Sequence, residues 1–193
     1  RDPRLAASIV TNGSNWNGRT IDQAAGGSDD MSRTNASRTG YYLKKFLTDG
    51  LNLTQGQTAQ HNWVAYRWAE VLLNYAEAMN EAFGPDAVPA GYAMSARQAL
   101  QQVRDRASVN LPAVTAADKD SFREAVKHER RIELAFEDHR YWDLLRWKDA
   151  MEVLNRPVLG VKIARNGEEW SYEVTEVANR TFHERKKKKK ILR

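Results

Sequence analysis

The sequence predicts a mainly α-helical protein in which two successive helical hairpins follow a long loop-rich segment and precede a small C-terminal β-hairpin. Three observations carry this. Apolar residues recur at steps of three and four between Trp63 and Phe83. Capping-box pairs, Ser95 with Gln98 and Ser121 with Glu124, precede two further apolar stripes. Asn166-Gly167 separates two alternating runs near the C-terminus.

Residues 1–60 are rich in Asn, Gly, Ser, Thr and Asp, above all between Thr11 and Gly40, and read as long loop with one short apolar stretch from Gly40 to Leu47. Loops of that length inside a domain draw attention as binding surface. The first helix carries Val64, Trp68, Val71, Leu72, Tyr75, Ala76, Met79 and Phe83 on one stripe and stops at Gly84-Pro85. The second runs from Ser95 through Leu100 and Val103 to about Ala107. The third opens at Ser121, turns Phe122, Val126, Ile132 and Phe136 inward, and ends near Asp138, a residue that tolerates a left-handed turn. The fourth continues through Trp142, Leu145 and Met151 to Asn155-Arg156-Pro157. Alternation in Val158, Leu159, Val161 and Ile163, then in Trp170, Tyr172 and Val174, marks the hairpin.

At 193 residues, 41% hydrophobic and 28% charged, the chain has the composition of one ordinary globular domain. It contains no cysteine, which excludes disulfides, thiolate catalysis and Cys-ligated zinc. Its net charge of +5 is local: residues 184–193 carry +6, leaving residues 1–183 at −1. A basic face for nucleic acid is therefore not expected, and the tail is expected to be disordered or artificial. No apolar run is long enough to cross a bilayer. The chain begins at Arg1 without an initiator Met or signal-peptide pattern, and is expected to be a fragment or processed chain. Residues 1–183 thus divide into a loop-rich segment (1–60), helical hairpins (61–155) and a β-hairpin with closing segment (156–183).

His128-Glu129 opens like a zinc-protease helix, but position 132 is Ile, so no second imidazole shares the face. The four histidines, at 61, 128, 139 and 183, have no ligand spacing. No metal or other cofactor is expected, and neither a Gly-rich phosphate loop nor a Gly-x-Ser-x-Gly elbow is present. Glu129, Glu133 and Glu137 stand at successive i,i+4 steps, and the first two border the apolar stripe. Two such carboxylates could serve as the acid and base of a glycosidase. The abundance of arginine, at 67, 130, 131, 140 and 146, favours a structural ion-pair network instead, because each guanidinium removes the proton a general acid needs.

Of the six tryptophans, those at 63, 68, 142 and 147 fit helical core positions. Trp16 does not: it lies among Asn15, Asn17 and Arg19 in the polar segment. A flat ring beside hydrogen-bonding side chains suits a sugar, with an apolar C–H face for the ring and hydroxyls for the amides and guanidinium. The competing reading is a tryptophan that anchors the loop to the core.

The helical motifs, Tyr66-Arg67-Trp68-Ala69-Glu70-Val71-Leu72-Leu73-Asn74-Tyr75-Ala76-Glu77-Ala78, Val103-Arg104-Asp105-Arg106-Ala107, Glu129-Arg130-Arg131-Ile132-Glu133-Leu134-Ala135-Phe136-Glu137 and Arg140-Tyr141-Trp142-Asp143-Leu144-Leu145-Arg146-Trp147, closely resemble the SusD/RagB family. Asp2-Pro3-Arg4-Leu5 and Tyr42-Leu43-Lys44-Lys45-Phe46 resemble earlier landmarks of that family. The resemblance spans almost the whole chain and corresponds to the C-terminal part of a longer family member, whose N-terminal half carries the lipid anchor. It departs at Asp138, where the family has a small Gly, and from Lys187 to Arg193.

The resemblance implies a fold of tetratricopeptide-like helical hairpins carrying irregular binding loops. It also implies a surface lipoprotein of the Gram-negative outer membrane that binds glycans or other nutrients without catalysis and partners a SusC-like TonB-dependent transporter. In that light Arg67, Glu70, Glu129, Arg130, Glu133, Arg140, Asp143 and Arg146 form a structural ion-pair network. Trp16, Asn15, Asn17 and Arg19 are the candidate glycan contacts. Two other readings remain open on the residues: a helical-repeat module that binds a protein, and a hydrolase built on Glu129 and Glu133.

Overall fold

The computed structural model describes residues 1–183; the basic tail, 184–193, lies outside the described residues. The chain is mainly helical with a small C-terminal β-hairpin. It divides into two compact units, one formed by Arg1–Ile9 with Leu43–Arg140 and the other by Val10–Tyr42 with the chain from Tyr141 onward. Two short strands, β1 (Ile9–Val10) and β4 (Tyr42–Leu43), stand where the chain passes between units.

In the first unit, α1 (Arg4–Ser8) precedes a 3-10 turn at Leu53–Gln55 and three longer helices: α2 (Trp68–Phe83), α3 (Ala96–Arg104) and α4 (Lys119–Glu133). Helix α2 packs against both α3 and α4. Leu72, Leu73, Ala76 and Met79 from α2 meet Ala96, Ala99, Leu100 and Val103 from α3 and Phe122 and Val126 from α4 in one buried cluster. The small residues Ala76, Ala96 and Ala99 let the helix backbones approach, and Leu73, Leu100 and Phe122 fill the space between. The Ser95 capping box with Gln98 is present, and Gly84 ends α2 at a positive φ of 83°.

Several helix boundaries differ from the expectation. Helix α2 begins at Trp68 rather than Trp63, because Arg67 is extended (φ −147°, ψ 158°). Helix α4 begins at Lys119: Asp118, not Ser121, is its cap, and Ser121 is the reciprocal member of the box rather than its start. It ends at Glu133 rather than near Asp138, because Phe136 and Asp138 both take positive φ, 64° and 62°. Asp138 thus adopts the expected left-handed turn, whereas Phe136 is exposed rather than inward. The fourth helix is two, α5 (His139–Trp147) and α6 (Ala150–Val153), since Lys148 also has positive φ (64°). Trp63, Trp68 and Trp142 are not core residues: all are about two-thirds exposed or more. On α2 the inward positions are taken by Ala69, Leu72, Leu73 and Ala76, so the buried face is rotated away from the ring of Trp68.

In the second unit, β2 (Asn15–Trp16) pairs antiparallel with β3 (Arg19–Thr20). This replaces part of the expected structureless loop. Trp16 faces Arg19, so Asn17 and Gly18 form the two-residue turn, both at positive φ (51° and 72°), as a type I′ hairpin requires. The C-terminal hairpin pairs β5 (Val158–Asn166) with β6 (Glu169–Ala178). Asn166 faces Glu169, so its turn residues are Gly167 and Glu168, with positive φ (64°) at Gly167. A bulge follows Val158. Gly160 lets β5 pass against Arg38 and Thr39, where a Cβ would come within 2.9 Å of backbone atoms. Val161 donates its N–H to the Thr39 carbonyl at 3.0 Å.

Candidate functional site

Among the described residues, a dense polar constellation lies in the first unit, on the inward edge and C-terminal end of α4. Glu129 and Glu133 are one turn apart and almost fully buried. A buried carboxylate needs partners, and guanidinium groups supply them. Glu129 accepts from Arg4 and Arg104, each at 2.5 Å. Glu133 accepts from Arg67 at 2.6 Å, Arg106 at 2.8 Å and Arg4 at 2.9 Å. Glu137, just beyond the helix, accepts from Arg67 at 2.7 Å and Lys45 at 2.5 Å.

The same cations close the helix end. Arg67 donates to the Glu133 carbonyl at 2.6 Å and Lys45 to the Ala135 carbonyl at 3.0 Å. Carbonyls left without intrahelical partners are thereby satisfied where the helix dipole also favours positive charge. Arg4 is in turn held by Asp2, through 2.7 and 3.0 Å bonds.

Burial alone pushes the Glu133 carboxyl up, but hydrogen bonds from Arg106, Arg67 and Arg4 outweigh it and hold the group at about 2. Glu137 is also pulled below its ordinary value, where burial is opposed by Arg67 and Lys45. At neutral pH Glu133 is therefore an ionised, fully engaged acceptor with no proton to give a leaving group.

Two cavities flank the network within this unit. One, of about 320 Å³, is lined by Lys45, Phe46, Val64, Arg67, Arg106 and Glu133 among others. The other, of about 590 Å³, has Leu5, Ile9, Ile132 and Phe136 on its walls, with Arg131 and His128 contributing charge and polarity.

The other residues singled out from sequence fall elsewhere. Arg130 donates to the Asn74 side chain at 2.6 Å and lies 4.0 Å from Glu77, both on α2. Glu70 stands 3.6 Å from His139, and Asp143 pairs with Arg146 at 2.9 Å within α5. Arg140 belongs to the first turn of α5. The structure thus brings together Arg67, Glu129 and Glu133, and adds Arg4, Arg104, Arg106, Asp2 and Lys45, which spacing on one helix did not reveal. Their signal was present only in the Asp-Pro-Arg-Leu, Val-Arg-Asp-Arg-Ala and Tyr-Leu-Lys-Lys-Phe motifs.

Trp16, Asn15, Asn17 and Arg19 occur together on the β2–β3 hairpin of the second unit. Trp16 is half-buried, while Asn15, Asn17 and Arg19 are exposed. The Arg19 guanidinium forms a two-pronged pair with Asp29, both bonds at 2.5 Å, which holds the Asp29 carboxyl well below the usual carboxylate range. Arg19 also donates to Ser28 at 3.1 Å.

The sequence profile of the SusD family, SusD_RagB, matches residues 1–192. The chain belongs to the SusD family. Among its SusD-like relatives are two proteins of Formosa agariphila. SusD-like protein P25 is 37% identical over 95 residues, covering 48% of this chain and 16% of that protein. SusD-like protein P38 is 34% identical over 107 residues, covering 52% of this chain and 20% of the relative. The chain therefore spans no more than a fifth of these curated relatives.

Two solved SusD-like proteins from Bacteroides fragilis NCTC 9343 share its fold. One superposes with a TM-score of 0.76 at 32% identity, covering 95% of this chain and 34% of that one. The other is described as a SusD-like carbohydrate binding protein and gives a TM-score of 0.70 at 32% identity, covering 95% and 37%. Against this SusD framework, the motifs of α2 and α4 supply the ion-pair scaffold, and the Trp16 hairpin is a separate feature.

Proposed function

We propose that the chain is part of a non-catalytic glycan- or nutrient-binding subunit of an outer-membrane uptake complex, which delivers oligosaccharide to a SusC-like TonB-dependent transporter at the cell surface. The observation that carries this is the likeness, over 95% of the chain, to a SusD-like carbohydrate binding protein. Helices α2, α3 and α4 serve as a tetratricopeptide-like scaffold, stapled by the Glu129–Glu133 network. A lipid anchor elsewhere in the polypeptide supplies membrane attachment; no helix among the described residues is long and apolar enough to cross a bilayer.

In this reading Trp16 offers its ring to the apolar face of a sugar, Asn15 and Asn17 meet hydroxyls, and Arg19 both fixes the hairpin through Asp29 and completes the polar rim. The Glu129 and Glu133 carboxylates hold structure and do not cleave glycosidic bonds. Affinity electrophoresis of the whole polypeptide through gels containing a panel of polysaccharides tests the reading. Retardation by at least one glycan, with no turnover of chromogenic glycosides and co-purification of a TonB-dependent transporter, is the expected result. Free migration through every glycan, or hydrolysis abolished by Glu133→Gln, overturns it.

A further inference from the structure

The C-terminal hairpin repeats an arrangement found on the Trp16 hairpin. On β2–β3, Trp16 faces Arg19 across the turn, and Arg19 is held by Asp29. On β5–β6, Trp170 faces Arg165, whose guanidinium lies 5.3 Å from the indole centroid and reaches to 3.9 Å from the Asp22 carboxylate. The two aspartates are themselves joined, because the Asp22 N–H donates to Asp29 at 3.1 Å. A longer bond, 3.5 Å, runs from the Asn12 amide to the Tyr172 hydroxyl oxygen. Both hairpins belong to the second unit, and these contacts hold one against the other.

Residues opposite one another in an antiparallel pair share a face, so Trp170, Tyr172 and Val174 lie on the same side of the hairpin as Arg165, Ile163 and Val161. The β5 half of that side is closed at Ile163, which is 6% exposed. The β6 half is open: Trp170 is 36% exposed, Tyr172 58% and Val174 68%. Rings left open beside an amide and a hydroxyl, those of Asn12 and Tyr172, suit a ligand with an apolar C–H face and hydroxyl edges. Charge then selects among such ligands. Arg19 gives both prongs to Asp29 and Arg165 faces Asp22, while Glu168 and Glu169 stand exposed next to Trp170. Neither cation is left unbalanced to attract a carboxylate or sulfate, and the two glutamates repel one.

We propose that Trp170 and Tyr172 extend the Trp16 site into one platform, shared by the two hairpins, for a neutral oligosaccharide long enough to engage both. This platform presupposes the glycan-binding function proposed for the chain and adds to it the residues of β6 and the class of sugar. Affinity electrophoresis of the whole polypeptide, with glucan, mannan and xylan as neutral probes and alginate and heparin as anionic ones, tests it. At least one neutral polysaccharide should retard the parent, and equally at low and high salt. Trp170→Ala with Tyr172→Ala should weaken that binding severalfold, more for a hexasaccharide of the same polysaccharide than for its disaccharide. Trp142→Ala, which removes an exposed indole of α5 outside both hairpins, should change neither.

Retardation of the parent by no glycan removes the glycan-binding function and this platform together. Undiminished retardation of the folded Ala pair overturns the platform alone, as do equal losses for the two oligosaccharide lengths or binding confined to alginate and heparin. Hydroxyl-radical footprinting of the parent, read by peptide mass spectrometry, needs no variant and so decides the matter even where the Ala pair melts early. The retarding polysaccharide should slow modification of Trp170 and Tyr172 severalfold and leave that of Trp142 as it was. Modification of both β6 rings at the same rate with and without that polysaccharide overturns the proposal.

Discussion

Arg4 donates to Glu129 across 2.5 Å and 125 residues of chain. That bond ties α1 to α4, and the same guanidinium nitrogen reaches Glu133 at 2.9 Å. The two buried carboxylates are thereby joined through one cation, so the network behaves as a single structural unit whose members depend on one another.

Glu133→Ala is accordingly expected to destabilise the fold by about 3 kcal/mol or more, since it strands Arg4, Arg67 and Arg106 beside a buried void. Urea melts of the parent and variant check this. An unchanged midpoint would show that the guanidiniums find water as readily as they find Glu133.

Acid should act on the same group. Its folded-state value of about 2 lies below the ordinary 4.5, so its contribution is fully present above pH 4.5 and is lost as pH falls from there toward 2. That difference corresponds to about 3 kcal/mol. The lowered Glu137 shifts stability in the same direction. Stability measured by urea at pH 7, 4.5 and 3 should drop in the lower interval, and Glu133→Gln should flatten the drop. A Glu133→Gln profile parallel to the parent would place the acid sensitivity elsewhere.

Trp16→Ala should weaken carbohydrate binding severalfold while leaving helix content intact, because a stacked aromatic is worth about 0.5–1.5 kcal/mol beyond its area burial. Isothermal titration with the best glycan from the electrophoresis panel, alongside circular dichroism, measures both. Unchanged affinity with a lowered melting temperature would make Trp16 an anchor of its hairpin instead.

Gly160→Ala should cost about 1–3 kcal/mol, the range for forcing a methyl into filled space. The new Cβ would meet the Arg38 carbonyl oxygen and the Thr39 Cα at 2.9 Å and the Val177 side chain at 2.8 Å, and backbone cannot swing aside as a flexible side chain would. Gly50→Ala, where no atom lies within 4 Å but φ is 81°, isolates the conformational penalty from the steric one. Thermal melts showing Gly160→Ala no worse than Gly50→Ala would contradict the close approach.

The sequence by itself determined the features that depend on near neighbours in the chain. Apolar spacing located α2, α3 and α4 because residues three and four apart share a helix face. Ser95 and Gly84 marked boundaries through bonds and torsions that span a single turn, and Gly167 placed the C-terminal hairpin for the same reason. The Asn17-Gly18 hairpin was equally legible by that rule, although its flanking strands of two residues each are too short to show alternation.

The tertiary structure alone decided what depends on distant parts of the chain. Periodicity placed Glu129 and Glu133 at the border of the apolar stripe but could not name Arg4, Arg104 and Arg106 as their partners, since those side chains arrive from α1 and the end of α3. It assigned Trp63 and Trp68 to a core, whereas the core of the first unit closed around Leu73, Leu100 and Phe122 and left both indoles outside. Hydrophobicity is a property of a side chain, but burial is a property of the surfaces that reach it, and a local pattern contains only the first.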